Sequence, residues 1–320
     1  MNTYIKKNDI YISFVVIIIA ILLFLILYYI IRPTNKFTNN PIHNPRIHYI
    51  SNNEVKRTLT LNNYFNHFND FDLKYRKLDQ KNNKDLIHYY YTSIIPANDT
   101  IKKKINTLVT FIVTRLKETN NYKYIFDTPW KFAFFKHLEN NFPHTHHDFI
   151  MISISNALTI SNITLLHEQL HVIQRKYSQL FKTLYTKYWY FEYAPIKGLS
   201  RIEQKALTNP DGLDNHWIFT YKKINIVLLA LYDHDAKTIS NVGYYGIYVT
   251  KYNDNTYSIP YVIRKKKLLN IPEFVEFFNM NQNIYHPNEL SVDMISKHCL
   301  DSSVSASPAY NAFKLWWNSV

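Results

Sequence analysis

Three residues of this chain combine the types and the spacing that hydrolytic metal chemistry needs. They are His167, Glu168 and His171, in the run HEQLH. On an α-helix, positions i and i+4 lie on one face, so both imidazoles can point at a single metal ion. Zn²⁺ accepts neutral imidazole nitrogen as a ligand, and a carboxylate beside the first histidine can take the proton of a water that attacks a carbonyl. Ser161 and Asn162 are good helix caps, and Leu165, Leu166, Leu170, Val172, Ile173 and Leu180 make residues 161–188 read as a largely buried helix. The competing reading is a buried helix whose histidines only satisfy hydrogen bonds.

A catalytic zinc takes three protein ligands and a water, so a third ligand must come from elsewhere in the chain. The stretch YHPNELSVD, residues 285–293, offers one. Pro287 suits a helix start, and Glu289 and Asp293 stand again at i and i+4. One carboxylate can bind the metal while the other holds a histidine ring from behind. His286 is the alternative third ligand. Tyr285, His286 and His298 are candidate donors to the oxyanion that forms when a carbonyl is attacked.

These two stretches resemble the gluzincin class of zinc metallopeptidases, the thermolysin-like proteins, whose third ligand is a Glu in an N-E-x-x-S-D pattern. Asn288, Glu289 and Asp293 match that pattern at the right spacing, and Ser291 stands one place early. The resemblance implies Glu289 as ligand, Asp293 as the partner of a ligand imidazole (that of His167), and Glu168 as general base. It also implies an edge strand beside the zinc helix that aligns the substrate backbone. Phe149, Ile150, Met151, Ile152, Ser153 and Ile154 are the candidate for that strand. Glu289 lies 118 positions after His171, so the resemblance implies an inserted subdomain, residues 196–268. The layout as a whole also looks like uncharacterised membrane-anchored HExxH proteins of large DNA viruses, which implies a virion or host membrane.

The elements that must position these residues are read as follows. Residues 1–10 are a tail. Residues 11–31, YISFVVIIIAILLFLILYYII, carry no charge and span about 30 Å as a helix, which predicts one uncleaved transmembrane anchor with undecided orientation. Residues 32–52, rich in Asn and Pro, read as a tether, with folding from residue 53. Residues 53–95 read as mostly helix, and 99–118 as a core-facing helix. Thr128-Pro129-Trp130 reads as the start of a helix to Asn140. His144 to His147 form a cluster that is either a second metal site or an exposed loop near the cleft. Asn209-Pro210-Asp211-Gly212 is a turn, and residues 216–232 and 244–262 read as strands, with Asn253-Asp254-Asn255 as a hairpin turn. Residues 272–280, the Glu289 segment and residues 310–317 are helices.

The chain has 320 residues, 37 Lys and Arg against 24 Asp and Glu, and one cysteine. A single cysteine, Cys299, excludes an intramolecular disulfide framework and reads as a buried thiol. The net charge of +13 is compatible with anionic partners, yet no nucleic-acid module is present and no specific nucleic acid is expected. The basic runs 102–104 and 264–267 read as solvated surface. The fold class expected is α+β: a transmembrane helix, then a mainly helical zincin-like domain, residues 53–320, with a small β-containing insertion. The function expected is zinc-dependent hydrolysis of a peptide or protein substrate with one Zn²⁺, tied to the lipid bilayer through residues 11–31. The alternative is a non-catalytic membrane or envelope protein with a structural zinc that binds a partner.

Overall fold

A computed structural model describes residues 45–78, 82–117, 123–233, 235–279, 285–301 and 304–320. One sheet carries the site. Its strands are β1 (Ile47–Tyr49), β2 (Trp130–Phe135), β3 (His144–His146) and β4 (Phe149–Ser153), in the spatial order β1-β2-β4-β3. β1, β2 and β4 run parallel, and β3 is antiparallel to β4 at the edge. Two further sheets follow, built from β5 (Phe191–Tyr193), β6 (Ile196–Lys197), β7 (Trp217–Phe219), β8 (Ile226–Tyr232), β9 (Val242–Tyr248), β10 (Thr250–Asn253), β11 (Thr256–Ser258) and β12 (Lys265–Lys267). Their orders are β12-β9-β8-β7-β5 and β10-β11-β6.

The longer helices are α1 (Asn52–Leu61), α2 (Asn83–Thr92), α3 (Asp99–Leu116), α4 (Asn162–Lys176), α5 (Pro272–Phe278), α6 (Pro287–Leu300) and α7 (Pro308–Trp317). Five of them, α1, α2, α3, α4 and α6, sandwich the first sheet. Phe132, Phe134, Ile150 and Ile152 face the core with Ile105, Val109 and Ile112 of α3, Leu165 and Leu166 of α4, and Leu290 of α6. The alternate residues, Ala133, Phe135, Phe149 and Met151, face Val55 and Leu59 of α1 and Leu86 and Tyr90 of α2. A strand covered on both faces reads as a continuous apolar run. That is why Trp130–Phe135 is a strand where the sequence predicts a helix: Pro129 precedes it, but each face of the run has its own helices to bury against.

Other expectations need correcting. No helix among the described residues is long and apolar enough to cross a membrane. The longest, α3, has 18 residues and carries Lys102, Lys103, Lys104 and Arg115. The architecture is therefore a mixed α+β domain with three sheets rather than a transmembrane helix with a mainly helical domain, and the expectation of a single-pass membrane protein is corrected with it. Residues 11–31, where the anchor was read, lie outside the described residues. The folded chain also begins before residue 53, because Ile47–Tyr49 pairs with β2.

One charged cluster is buried in this frame. Arg76 bonds Asp72 Oδ1 at 2.5 Å and Glu139 Oε2 at 2.9 Å, with side-chain exposures of 3%, 0% and 7% for Arg76, Asp72 and Glu139. Burial pushes the Glu139 pKa up, but Arg76, His144 and the Tyr90 and Tyr64 hydroxyls more than offset this and hold it below the ordinary 4.5. Replacing Arg76 by Met strands two buried carboxylates, and we expect a loss of about 3–5 kcal/mol in urea unfolding at neutral pH. The depressed Glu139 pKa means that its stabilising ionised form is present above pH 4.5 and lost as pH falls through the lowered value, so the gap to wild type should narrow in acid. A loss below about 1 kcal/mol would show that the cluster is not held as described.

Candidate metal centre

Helix α4 presents the histidines. Ser161 caps it, its hydroxyl accepting from Thr164 N at 3.0 Å. His167 Nε2 and His171 Nε2 face each other at 3.2 Å. Glu289, on the first turn of α6, brings Oε2 to 3.4 Å from His167 Nε2 and 3.6 Å from His171 Nε2. Among the described residues these three side chains are the group able to hold a metal ion. The donor set fits zinc: ligands about 2.0–2.1 Å from the ion at tetrahedral angles stand about 3.3–3.4 Å apart.

The imidazoles are held from behind. Gln174 Oε1 accepts from His171 Nδ1 at 2.8 Å, which leaves the Nε2 lone pair for a metal. Asp211 Oδ1 lies 3.8 Å from the same Nδ1. The Gln174 amide in turn donates to Asn288 O at 2.9 Å and Ser291 Oγ at 2.7 Å on α6, so one side chain joins both ligand helices. Asn209 Nδ2 donates to Glu289 Oε1 at 2.9 Å, leaving Oε2 as the oxygen that faces the histidines. Burial opposes charge on His171, yet Asp211 and Glu289 overcome it and raise its pKa to about 9. Burial likewise pushes Glu289 up, and the facing histidines draw it well below the carboxylate range.

Glu168 is buried beside the triad, and its Oε2 accepts from Thr145 Oγ1 of β3 at 2.7 Å. Burial raises its pKa, with Asp211 adding to the effect and the two histidines opposing it. Arg175, one turn past His171, donates to Thr145 O, to Pro210 O and to Asp211 Oδ1, tying α4 to the edge strand and the 209–212 turn. That turn is closed by Gly212 N donating to Asn209 O at 3.1 Å. A Cβ on Gly212 would stand 3.1 Å from His286 Cγ, so the close approach favours glycine. All four metal-motif residues line one cavity of about 530 Å³, together with His144, Asn209, Asp211, Tyr244 and Tyr285.

Several sequence expectations fail here. Asp293 does not orient a ligand imidazole: Lys297, one turn on, takes its carboxylate at 2.8 Å, and Gln174 and Asp211 stand behind His171 instead. His286 is not a ligand, because it caps α6. Its Nδ1 accepts from Asn288 N and its Nε2 bonds Asp214 O at 2.9 Å. His298 packs against Phe313 and bonds the Tyr310 hydroxyl, so it is not an oxyanion donor. Tyr285 alone of the three lines the cavity. The strand 149–154 is not the edge: β4 has β2 on one side and β3 on the other, and Phe149–Ser153 is buried throughout. The edge beside Glu168 is β3. The 144–147 cluster is not an exposed loop, since His144 and His146 are buried in β3 and only His147 is exposed, and among the described residues it does not gather three metal-binding side chains.

Sequence reasoning missed Gln174, Asn209, Asp211 and Thr145. Gln174 sits at i+3 from His171 on the same helix face, which is a usable signal. The turn residues carried only a turn signal. Comparison with protein-family models, with curated proteins and with solved structures gave no match to this chain.

Removing the Asn209 amide should free Glu289 to turn. We expect Asn209→Ala to weaken zinc binding about 10–100-fold in competition with a chromogenic chelator. Unchanged affinity would contradict the positioning role.

Proposed function

We propose that this chain is a zinc-dependent hydrolase that cleaves peptide bonds. The observation that carries the reading is the convergence of His167, His171 and Glu289 on one point of a cavity that Glu168 also lines. Three donors with room for a water are the catalytic pattern, whereas structural zinc sites close with four protein ligands. The residues that would hold Zn²⁺ are His167 and His171 through Nε2 and Glu289 through Oε2. When bound, the ion supplies Lewis acidity, polarising a carbonyl and making water a better nucleophile at neutral pH.

The remaining roles fall to the chain's own groups. Glu168 takes the proton of the attacking water and passes it to the leaving nitrogen. Its raised pKa suits both halves of that transfer, and Thr145 fixes the carboxylate so that one oxygen stays committed. Tyr285 is the donor to the developing oxyanion. Its hydroxyl accepts from Asn209, which leaves its own proton to give, and burial holds its pKa well above 10.0 so that it stays protonated.

We expect Glu168→Gln to keep its zinc and to lose about 10²–10⁴-fold in kcat/KM on a peptide library, with His167→Ala losing metal and turnover together. Undiminished hydrolysis by Glu168→Gln would remove the proposed base.

A further inference from the structure

The strands beyond the metal centre carry a loop that the hydrolytic chemistry does not use. Thr250 of β10 pairs with Ser258 of β11, and Ile247 of β9 pairs with Lys265 of β12. Between those two pairs the outgoing chain has only Tyr248 and Val249, whereas the returning chain has residues 259–264. The returning chain therefore has length to spare and loops out. Its base is fixed on both sides. Ile259 is buried, and its N–H donates to Lys197 O at 3.0 Å. Arg201 Nη2 donates to Ile259 O at 3.0 Å and to Pro260 O at 3.2 Å. On the far side Tyr248 N donates to Arg264 O at 3.0 Å.

The tip of this clamped loop is apolar. Tyr261, Val262 and Ile263 are 92%, 79% and 41% exposed. Tyr252 of β10 and Leu269, just past β12, are exposed as well. Adjacent apolar side chains held out in water mark a surface that something covers. The neighbouring charge says what. Arg264, Lys265, Lys266 and Lys267 follow the tip at once, and β12 is exposed along its length at the edge of its sheet. Residues 250–269 hold five basic side chains and one acidic one, Asp254. Among the described residues none of the five basic groups is in an ion pair. Arg264 and Lys265 rest instead on the rings of Tyr248 and Tyr245, at 4.3 Å and 4.6 Å.

Lysines on an edge strand also keep other strands from pairing with it. That accounts for β12 but not for the apolar tip. A nucleic acid would answer the cations, yet it offers Val262 and Ile263 no apolar phase to enter. A bilayer answers both, because anionic headgroups lie directly over hydrocarbon. We propose that residues 261–267 dock this domain on an anionic lipid surface. Tyr261, Val262 and Ile263 enter the headgroup layer, and the basic run meets the lipid charges. The loop rests on the bilayer and does not cross it, and the proposal is independent of the reading of the metal centre.

The test reads the loop itself. The full chain carries Val262→Cys in a Cys299→Ser background, labelled with an environment-sensitive fluorophore. The signal is local, so vesicle binding by any other stretch, the apolar run 11–31 included, does not enter it. Phosphatidylcholine vesicles containing phosphatidylserine should shift the emission to the blue and shield the label from iodide. Replacing Lys265, Lys266 and Lys267 by Gln should raise the lipid needed for that shift about 100-fold. Three results would overturn the proposal: no shift on any vesicle, an equal shift on phosphatidylcholine alone, or an equal shift from a label at Leu61→Cys, an exposed apolar position on α1. A shift given by an oligonucleotide and not by the anionic vesicles would overturn it too.

Discussion

Three donor atoms from two helices, set 118 positions apart in sequence, must stand within 3.6 Å of one another in a buried cleft. Left without a metal, such a cluster holds a carboxylate and two imidazoles together with little water to solvate them, and charge on His171 against Glu289 is what offsets their burial. The rest of the structure serves that constraint. Gln174 is the most economical device: its oxygen fixes the His171 ring, and its amide reaches Asn288 and Ser291 on the other ligand helix. Tyr185 adds its hydroxyl to the same polar knot, bonding Asn288 Oδ1 at 3.1 Å and meeting Ser291 Oγ at 2.9 Å. Every member of this buried network has a partner, which makes it rigid rather than costly.

The second support runs through the inserted segment. Asp72 accepts from both the backbone N–H and the hydroxyl of Thr208, and Arg76 donates to the Thr208 carbonyl at 2.6 Å. Thr208 is followed at once by Asn209, which holds Glu289, and Asp211, two residues beyond Asn209, stands behind His171. A buried ion cluster of this kind adds little net stability, since desolvation offsets its attraction. Its value here is register, because it sets where a two-residue reach begins. The insertion is thus part of the centre and not a cover laid over it.

Much of this was legible in the sequence because local physics decides it. The i,i+4 histidines, the Ser161 cap and the apolar positions of α3 and α4 follow from helical period and capping alone. So do Pro272 and Pro287 as first-turn residues, whereas the last helix starts at Pro308, two residues before the 310 the sequence suggested. What was not legible depends on neighbours. Trp130–Phe135 is a strand because helices lie on both faces, and nothing inside the run says so. Phe149–Ser153 was readable as a strand but not as an interior one, since β3 pairs with it only after a reversal that puts His147 at φ 50°. Asp293 lost its expected role to Lys297, an ordinary i,i+4 pair that the spacing alone would have allowed. Asn209 and Asp211 read as turn residues because turns favour Asn and Asp, which hid their second use.

The central claim is that His167, His171 and Glu289 together hold one zinc ion. The most direct measurement is the metal content of the purified full chain beside Glu289→Ala, both dialysed against the same weak chelator. The account predicts about one zinc per wild-type chain and a sharp fall in the variant, with folding preserved by circular dichroism. Zinc retained without Glu289, or none bound by well-folded wild type, would contradict it.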